Sequence, residues 1–207
     1  MAQYRRELKS FYAAREKNRL EKHLGAAQQF PEAAIAERFS DLFSSSSIFD
    51  LEKSLENAEG LTETETKARR NLLNIARAGF LENQAAEISG EYEACRNSRK
   101  IFFQNESLTL TEAFARIQTE EPIAARREIY ARLSEARNSC ADLFLEKFKI
   151  RQENAQKIGF ENCRKLFEEI SEVDFESFAL KTEKFLAETE ETYFRLLSDT
   201  FPETKSL

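Results

Sequence analysis

The chain has 207 residues, of which 33% are charged, and its formal net charge is −6. An acidic chain without clustered lysine and arginine does not favour binding to the phosphate backbone of nucleic acids. No apolar run approaches the roughly 20 residues of a membrane-spanning helix, and the opening residues lack the apolar centre of a signal peptide. We therefore expect a cytoplasmic protein that binds neither nucleic acid nor membrane.

The amino-acid composition favours helices throughout. Val173 is the only valine, and the chain has five glycines and three prolines. Few β-branched residues and few obligate turns are typical of long helices. The sequence predicts an all-α fold, an elongated bundle of antiparallel helices with one short β-hairpin near residues 99–110. We expect a single helical domain over residues 1–207, with helical subregions of about 1–60 and 61–207.

Three helices are predicted before residue 60. The first carries an apolar face that includes Leu8 and Phe11, and it is expected to run to about Leu24, before Gly25. Pro31 suits the first turn of a second helix, over residues 31–43. The serine run 44–47 can supply the cap of a third helix, which is expected to end at Gly60.

A long helix is then predicted from near Thr62 to about Ser98. Gly79 and Gly90 lie inside it, and each costs about 1 kcal/mol relative to alanine unless close packing needs the missing side chain. Two apolar runs flank the polar residues 104–106, which predicts the hairpin. Thr109 or Thr111 is expected to cap the helix that follows.

The longest predicted helix covers residues 119–159, with Thr119 as its cap and Gly159 in left-handed geometry at its end. Its apolar stripe predicts that Phe144 and Phe148 lie in the core. That stripe consists of Leu133, Ala136, Cys140, Phe144, Phe148, Ala155 and Ile158. A last helix is predicted after Asp174, which is a candidate for its N-cap. The apolar seam of this helix consists of Phe175, Phe178, Phe185, Leu186, Tyr193, Leu196 and Leu197.

Residues for known catalytic chemistry are scarce. His23 is the only histidine, which excludes zinc sites of the HExxH or three-histidine type and di-iron bundles built on paired ExxH motifs. The three cysteines, Cys95, Cys140 and Cys163, contain no CxxC spacing and are expected to be buried reduced thiols. The carboxylates are expected on solvated helix faces. We therefore assign no catalytic, metal or cofactor-binding residue and expect the chain not to be an enzyme by itself.

The stretch "EPIAARREIYARLSEARNSCADLFLEKFKIRQENAQKIGFENCRKLFEEISEVDFESF" resembles the zinc metallopeptidases of the oligoendopeptidase F and thimet oligopeptidase type. Arg126–Arg127 and the turn residues Gly159, Phe160 and Asn162 match the family pattern, whereas Cys163 stands where an aromatic residue is usual. The resemblance covers essentially the whole chain. It implies the non-catalytic, amino-terminal helical portion of such a peptidase, which forms one wall of a substrate channel and packs on a catalytic half.

The catalytic half of that family, with its HExxH motif and zinc, has no counterpart in this sequence, so the resemblance carries over no zinc ligand. Zinc is expected only in a catalytic half encoded elsewhere or lost. The alternative is a self-sufficient helical scaffold or adaptor; an independent enzyme is a third reading. The turn at Gly159 is also typical of an ordinary corner between two helices.

In both of the first two readings the final helix is expected to belong to an exposed apolar interface. The candidate interface residues are Phe175, Phe178, Phe185, Tyr193 and Leu197. The expected partners are a catalytic-half protein or a second copy of the chain, with a peptide as a further ligand.

Overall fold

The computed structural model describes residues 1–24, 32–57 and 59–200. Ten α-helices, one short 3-10 helix and one β-hairpin occupy these residues, which confirms the predicted all-α fold with a short hairpin. In chain order the elements are α1 Ala2–His23, α2 Glu32–Arg38, the 3-10 helix Ser40–Phe43, α3 Ser45–Glu56, α4 Glu63–Gln84, α5 Ala86–Ser98, β1 Lys100–Phe103, β2 Glu106–Thr109, α6 Leu110–Thr119, α7 Ile123–Asn138, α8 Ala141–Lys157, α9 Cys163–Ser171 and α10 Phe175–Thr200.

The chain divides into two compact units, Met1–Gly159 and Phe160–Leu207. The first holds the hairpin and the helices up to α8, and the second holds α9 and α10. The observed boundary follows Gly159, and the assignment of residues 1–207 to one domain stays a prediction.

Aromatic packing organises the amino-terminal part of the first unit. The rings of Phe11 in α1 and Phe43 in the 3-10 helix meet edge to face, with their centroids 4.9 Å apart. The Tyr4 hydroxyl donates a hydrogen bond to the Leu42 carbonyl over 2.9 Å, and burial of the phenol raises the pKa of Tyr4 to about 12. Gly79 of α4 allows the Phe43 ring to lie directly against the α4 backbone. Close packing therefore explains Gly79, as its position within a helix had suggested.

A second core lies between the hairpin and the next two helices. Ile101 and Phe103 point inward from β1, where side chains alternate between the two faces, and Ala113 of α6 and Ile129 and Leu133 of α7 complete the cluster. The hairpin turns at Gln104 and Asn105, whose φ values are 47° and 68°. Two consecutive left-handed residues are what a tight turn between right-twisted strands requires.

Hydrogen-bonded caps fix several helix starts. Thr62 and Thr109 each form a capping box with a glutamate three residues later, at α4 and α6, and Ser44 caps α3. Ser44 belongs to the serine run expected to cap α3, Thr109 is one of the two residues expected to cap α6, and Thr62 lies where α4 was expected to begin. Thr119 does not cap a helix; it is the last residue of α6, and the backbone turns through Pro122 before α7 begins.

The two longest predicted helices are each broken. Residues 63–98 form α4 and α5, separated at Ala85, and residues 123–157 form α7 and α8, separated at Ser139 and Cys140. A single apolar stripe therefore does not continue from α7 into α8. Phe144 and Phe148 are each 52% exposed, so their predicted core position is wrong, whereas Leu133 and Ala155 are buried.

The second predicted helix, over residues 31–43, is also interrupted. Residues 32–38 form α2, and after Phe39 the chain tightens into the 3-10 helix, whose Leu42 and Phe43 are buried. Gly25 and Pro31 lie outside the described residues. Gly60 has a φ of 83°, which agrees with its predicted role in the turn that follows α3.

The expectation of reduced cysteines is wrong for two of the three. Cys95 of α5 and Cys140, the residue before α8, form a disulfide across 45 positions of sequence. The hairpin and the α6–α7 pair carry the chain away from the end of α5 and back to the start of α8, so the two positions meet. Cys163 is buried, as predicted, and is not part of a disulfide.

Candidate protein interface on the last helix

The last helix begins at a carboxylate cap. Asp174 Oδ1 accepts hydrogen bonds from the backbone N–H groups of Glu176 and Ser177 over 3.0 and 3.2 Å. These bonds satisfy two of the donors that a helix start leaves unpaired, and the negative charge interacts favourably with the helix dipole. From this cap α10 runs for 26 residues, a length of about 39 Å. Asp174 thus has the role that the sequence predicted.

Apolar residues recur along one face of α10, yet no residue of this helix is buried. Phe178 and Phe185 are each 62% exposed and Tyr193 is 59% exposed, whereas Phe175 and Leu197 are partly buried. We call this face the α10 stripe; it consists of Phe175, Phe178, Thr182, Phe185, Leu186, Thr189, Tyr193, Leu196 and Leu197. Their spacing of three or four residues places them on one side of the helix.

Two threonines within the α10 stripe do not interrupt its apolar character. The Thr182 hydroxyl donates to the Phe178 carbonyl over 2.9 Å, and the Thr189 hydroxyl donates to the Phe185 carbonyl over 2.8 Å. Both donors are therefore satisfied within the helix itself, a common arrangement for threonine in a helix interior. A partner that covers the stripe would not have to supply acceptors for them.

Charged side chains border the α10 stripe. Glu176, Glu183 and Glu190 follow each other every seven residues, and seven residues are nearly two helical turns, so these carboxylates line one border. The whole helix carries six acidic and three basic side chains. A surface that covers the stripe would gain electrostatically from basic groups along the corresponding rim.

Seven large apolar side chains of α10 are each more than half exposed. Solvent-exposed apolar patches on monomeric proteins rarely exceed a few hundred Å² unless they mark an interaction site. Burying one large apolar side chain completely contributes about 1.5–3 kcal/mol. The sequence pattern did not identify Leu180 and Phe194, which are also exposed. Leu180 lies on the opposite side of α10, whereas Phe194 lies beside the stripe, with its ring centroid 5.5 Å from that of Tyr193.

The predicted structural turn has well-defined local geometry. Gly159, with φ of 89°, adopts the left-handed conformation after α8, a conformation that favours glycine. Asn162 caps α9: its Oδ1 accepts a hydrogen bond from the Lys165 N–H over 2.9 Å. Phe160 lies between them and is partly buried. The turn thus ends one helix and starts another, and its side chains offer no catalytic arrangement.

Shifted pKa values in the described residues arise from caps, one buried phenol and one surface pair. The side-chain hydrogen bond from Lys165 lowers the pKa of Glu168, and the same bond raises the pKa of Lys165. Both groups lie on α9, where Lys165 is exposed and Glu168 is partly buried. Within residues 1–24, 32–57 and 59–200, no group of three histidine, cysteine or carboxylate side chains could hold a metal ion. In the same residues, no helix is long and apolar enough to cross a membrane.

Comparison with known proteins identifies no family for this chain. No protein-family model matches this sequence, and no curated protein or solved structure matches the chain.

Proposed function

We propose that this chain is the non-catalytic, amino-terminal helical portion of an oligopeptidase-like zinc metallopeptidase, and that the α10 stripe docks onto a catalytic half that carries HExxH. The observation that carries the proposal is a 26-residue amphipathic helix with a continuous apolar face and no buried residue. The resemblance through Arg126–Arg127 and the Gly159–Asn162 turn indicates the kind of partner.

The chemistry of the stripe defines the surface that would receive it. Its centre requires an apolar groove that accommodates the rings of Phe178, Phe185 and Tyr193, since aromatic side chains supply much of the binding energy of protein interfaces. The glutamate border requires lysine or arginine on one rim of the groove. In this role the chain would contribute a wall of the substrate channel, and the zinc chemistry would belong entirely to the partner.

A binding experiment with a matched pair of variants tests the proposal. Phe185 and Leu180 are each 62% exposed, but only Phe185 lies in the α10 stripe. The full chain is titrated calorimetrically with the catalytic half of an oligoendopeptidase F-type enzyme expressed without its own amino-terminal helices. Phe185→Ala is expected to weaken binding by about tenfold or more, because a central aromatic anchor is lost. Leu180→Ala is expected to leave the affinity within about twofold.

Peptide hydrolysis supplies the functional readout. The reconstituted mixture should cleave a fluorogenic oligopeptide faster than the catalytic half alone, and Phe185→Ala should reduce that gain. If neither variant changes binding, or if the two proteins do not associate at micromolar concentration, the proposal is wrong.

The alternative, a helical scaffold or adaptor, predicts a different result in sedimentation. The chain would then associate with itself or with a non-peptidase protein through the same stripe, and it would be indifferent to the catalytic half. Phe185→Ala would in that case reduce self-association, which sedimentation of the chain alone detects.

A further inference from the structure

The disulfide closes a segment of the first unit that has its own core. The buried side chains Ile101, Phe103, Ala113, Ile129 and Leu133 all lie between Cys95 and Cys140. So do the partly buried residues that pack on them: Leu108, Leu110, Ile117, Ala125 and Ala136. We call residues 95–140 the closed segment. The disulfide therefore clasps a small hairpin-and-two-helix unit at the point where its two ends meet.

Outside the closed segment, the chain continues into helices that pack on each other. α5 contains Cys95 and α8 begins directly after Cys140, and the two helices are in contact, as are α4 and α8. This packing holds the ends of the closed segment near each other without a covalent bond. Breaking the disulfide is thus expected to loosen the closed segment while the surrounding helices stay folded.

The two sulfurs have different surroundings. Cys95 is partly exposed, and the Arg99 guanidinium Nη2 lies 3.6 Å from its Sγ. Cys140 is 1% exposed and occupies the N-cap position of the 17-residue helix α8. A reagent in solution can reach Cys95 more easily than Cys140. The positive charge of Arg99 also attracts an incoming thiolate toward Cys95. The amino-terminal end of α8 favours negative charge on the Cys140 sulfur.

We infer that Cys95–Cys140 is a thiol–disulfide exchange site whose co-substrate is a dithiol, with Cys95 as the sulfur that is attacked. The incoming thiolate forms a bond to Cys95 Sγ, the bond between the two cysteine sulfurs breaks, and Cys140 leaves as a thiolate at the start of α8. The second thiol of the reagent, as a thiolate, then attacks the reagent sulfur that is bonded to Cys95. This step closes the disulfide of the reagent and releases Cys95 as a thiolate. The dithiol is oxidised to a disulfide, and the protein gains two electrons and two protons.

This exchange would couple the closed segment to the redox state of its surroundings. An oxidising compartment keeps the clasp closed, and a reducing one opens it. A cross-link stabilises mainly by restricting the unfolded chain, so the opened segment unfolds locally more often. We expect amide hydrogens of α6 and α7 to exchange about tenfold faster or more after reduction. Amide hydrogens of α3 and α4 should exchange at an unchanged rate.

The test uses the full, air-oxidised chain in native buffer. Glutathione, a monothiol, is added, the mixture is quenched with acid, and mass spectrometry locates the mixed disulfide, which is expected on Cys95. Dithiothreitol is then added without denaturant, and the rate at which Cys95 and Cys140 become alkylated is measured. Arg99→Gln should slow this reaction by about threefold or more, since the charge beside the sulfur is lost. Arg96→Gln, the same change next to Cys95, should not.

Hydrogen exchange of the reduced chain is compared with that of the double variant Cys95→Ser, Cys140→Ser, which should show the same faster exchange in α6 and α7. Several results would overturn the inference: free thiols at both positions in the air-oxidised protein, reduction that requires denaturant, a mixed disulfide on Cys140, or equal rates for Arg99→Gln and the unmodified chain. Any one of them would make the bond a static structural cross-link or show that the pair does not form.

Discussion

Replacing Gly79 with alanine should destabilise the protein, although alanine is the better helix former. A β-carbon built at Gly79 lies 2.9 Å from Cγ of the Phe43 ring and closer still to Cδ1 and Cε1. The Phe43 ring cannot move away easily, because it is 5% exposed and packs against the ring of Phe11. The new methyl group therefore overpacks this part of the core.

The magnitude follows from a matched glycine in the next helix. Nothing lies within 4 Å of a β-carbon at Gly90, in α5, so Gly90→Ala should gain helix propensity without a clash. That gain is about 0.5–1 kcal/mol. Gly79→Ala has the same gain but adds an overpacking cost of about 1–3 kcal/mol. Since the propensity terms cancel, the free energies of unfolding of the two variants should differ by about 1–3 kcal/mol.

Urea unfolding of the full-length variants, followed by circular dichroism at constant pH and temperature, measures this difference. The slope of the free energy against urea should be the same for both, so that the midpoint reports stability alone. If Gly79→Ala stabilises the chain as much as Gly90→Ala does, Phe43 does not pack on α4 and the arrangement described for this core is incorrect.

Two further outcomes can be measured on the same material. Leu133→Ala should lower the free energy of unfolding by about 2–5 kcal/mol, whereas Phe144→Ala, at a half-exposed site, should cost about 1 kcal/mol; equal losses in urea unfolding would contradict the assigned burial. The purified chain should contain no stoichiometric zinc, because the sequence offers one histidine and three cysteines, two of which form a disulfide. One equivalent of zinc that resists mild chelation, seen by elemental analysis, would contradict this.

Local signals in the sequence predicted local structure well. A helix start was predicted near Thr62, and Thr109 was one of two threonines expected to cap the next helix; in the structure each forms a capping box with a glutamate three residues later. The polar residues 104–106 between two apolar runs predicted the hairpin, and Gly159 predicted the end of α8. In each case the interacting residues are only a few positions apart, so a short stretch of sequence is enough to predict the local structure.

Predictions failed where distant residues decide the structure. The apolar repeat from Leu133 to Phe148 fits one helix, but the chain bends at Ser139 and Cys140, where the disulfide ties it to Cys95. After the bend, Asn154 and Ala155 are the buried residues of α8, whereas Phe144 and Phe148 are half-exposed. The spacing of cysteines could not reveal the pair, because 45 residues separate them and only the fold of the closed segment brings them together.

The apolar face of α10 was predicted correctly because it depends on one helix alone. Its periodicity is a property of one uninterrupted helix, so Phe178, Phe185 and Tyr193 were predicted on one side and lie there. Burial cannot be read from the same pattern, since a core helix and an interface helix have identical spacing. The stripe of α4, with Leu72 and Phe80, is buried, whereas that of α10 is exposed. Its assignment as an interface stays a prediction that the Phe185 and Leu180 variants test.

The capping boxes give a last prediction, a change of stability in acid. The hydrogen bond from the Thr62 backbone lowers the pKa of Glu65, and the equivalent bond from Thr109 lowers the pKa of Glu112, both below the usual value of 4.5. A lowered folded-state pKa means that the unfolded chain binds protons first as the pH falls. The stabilisation is therefore complete above about pH 4.5 and is lost as the pH falls through the folded-state values.

The double variant Glu65→Gln, Glu112→Gln removes this titration while glutamine keeps the hydrogen-bonding capacity of the box. Urea unfolding of the full chain and of the variant is compared between pH 7 and pH 3. Above about pH 5 the stability difference between the two proteins should stay constant, and below about pH 4.5 it should shrink, because the wild-type carboxylates become protonated and lose their charge-assisted bonds. A difference that stays constant down to pH 3 would show that the two glutamates do not gain their stabilising effect from ionisation, and the boxes would then act through neutral hydrogen bonds alone.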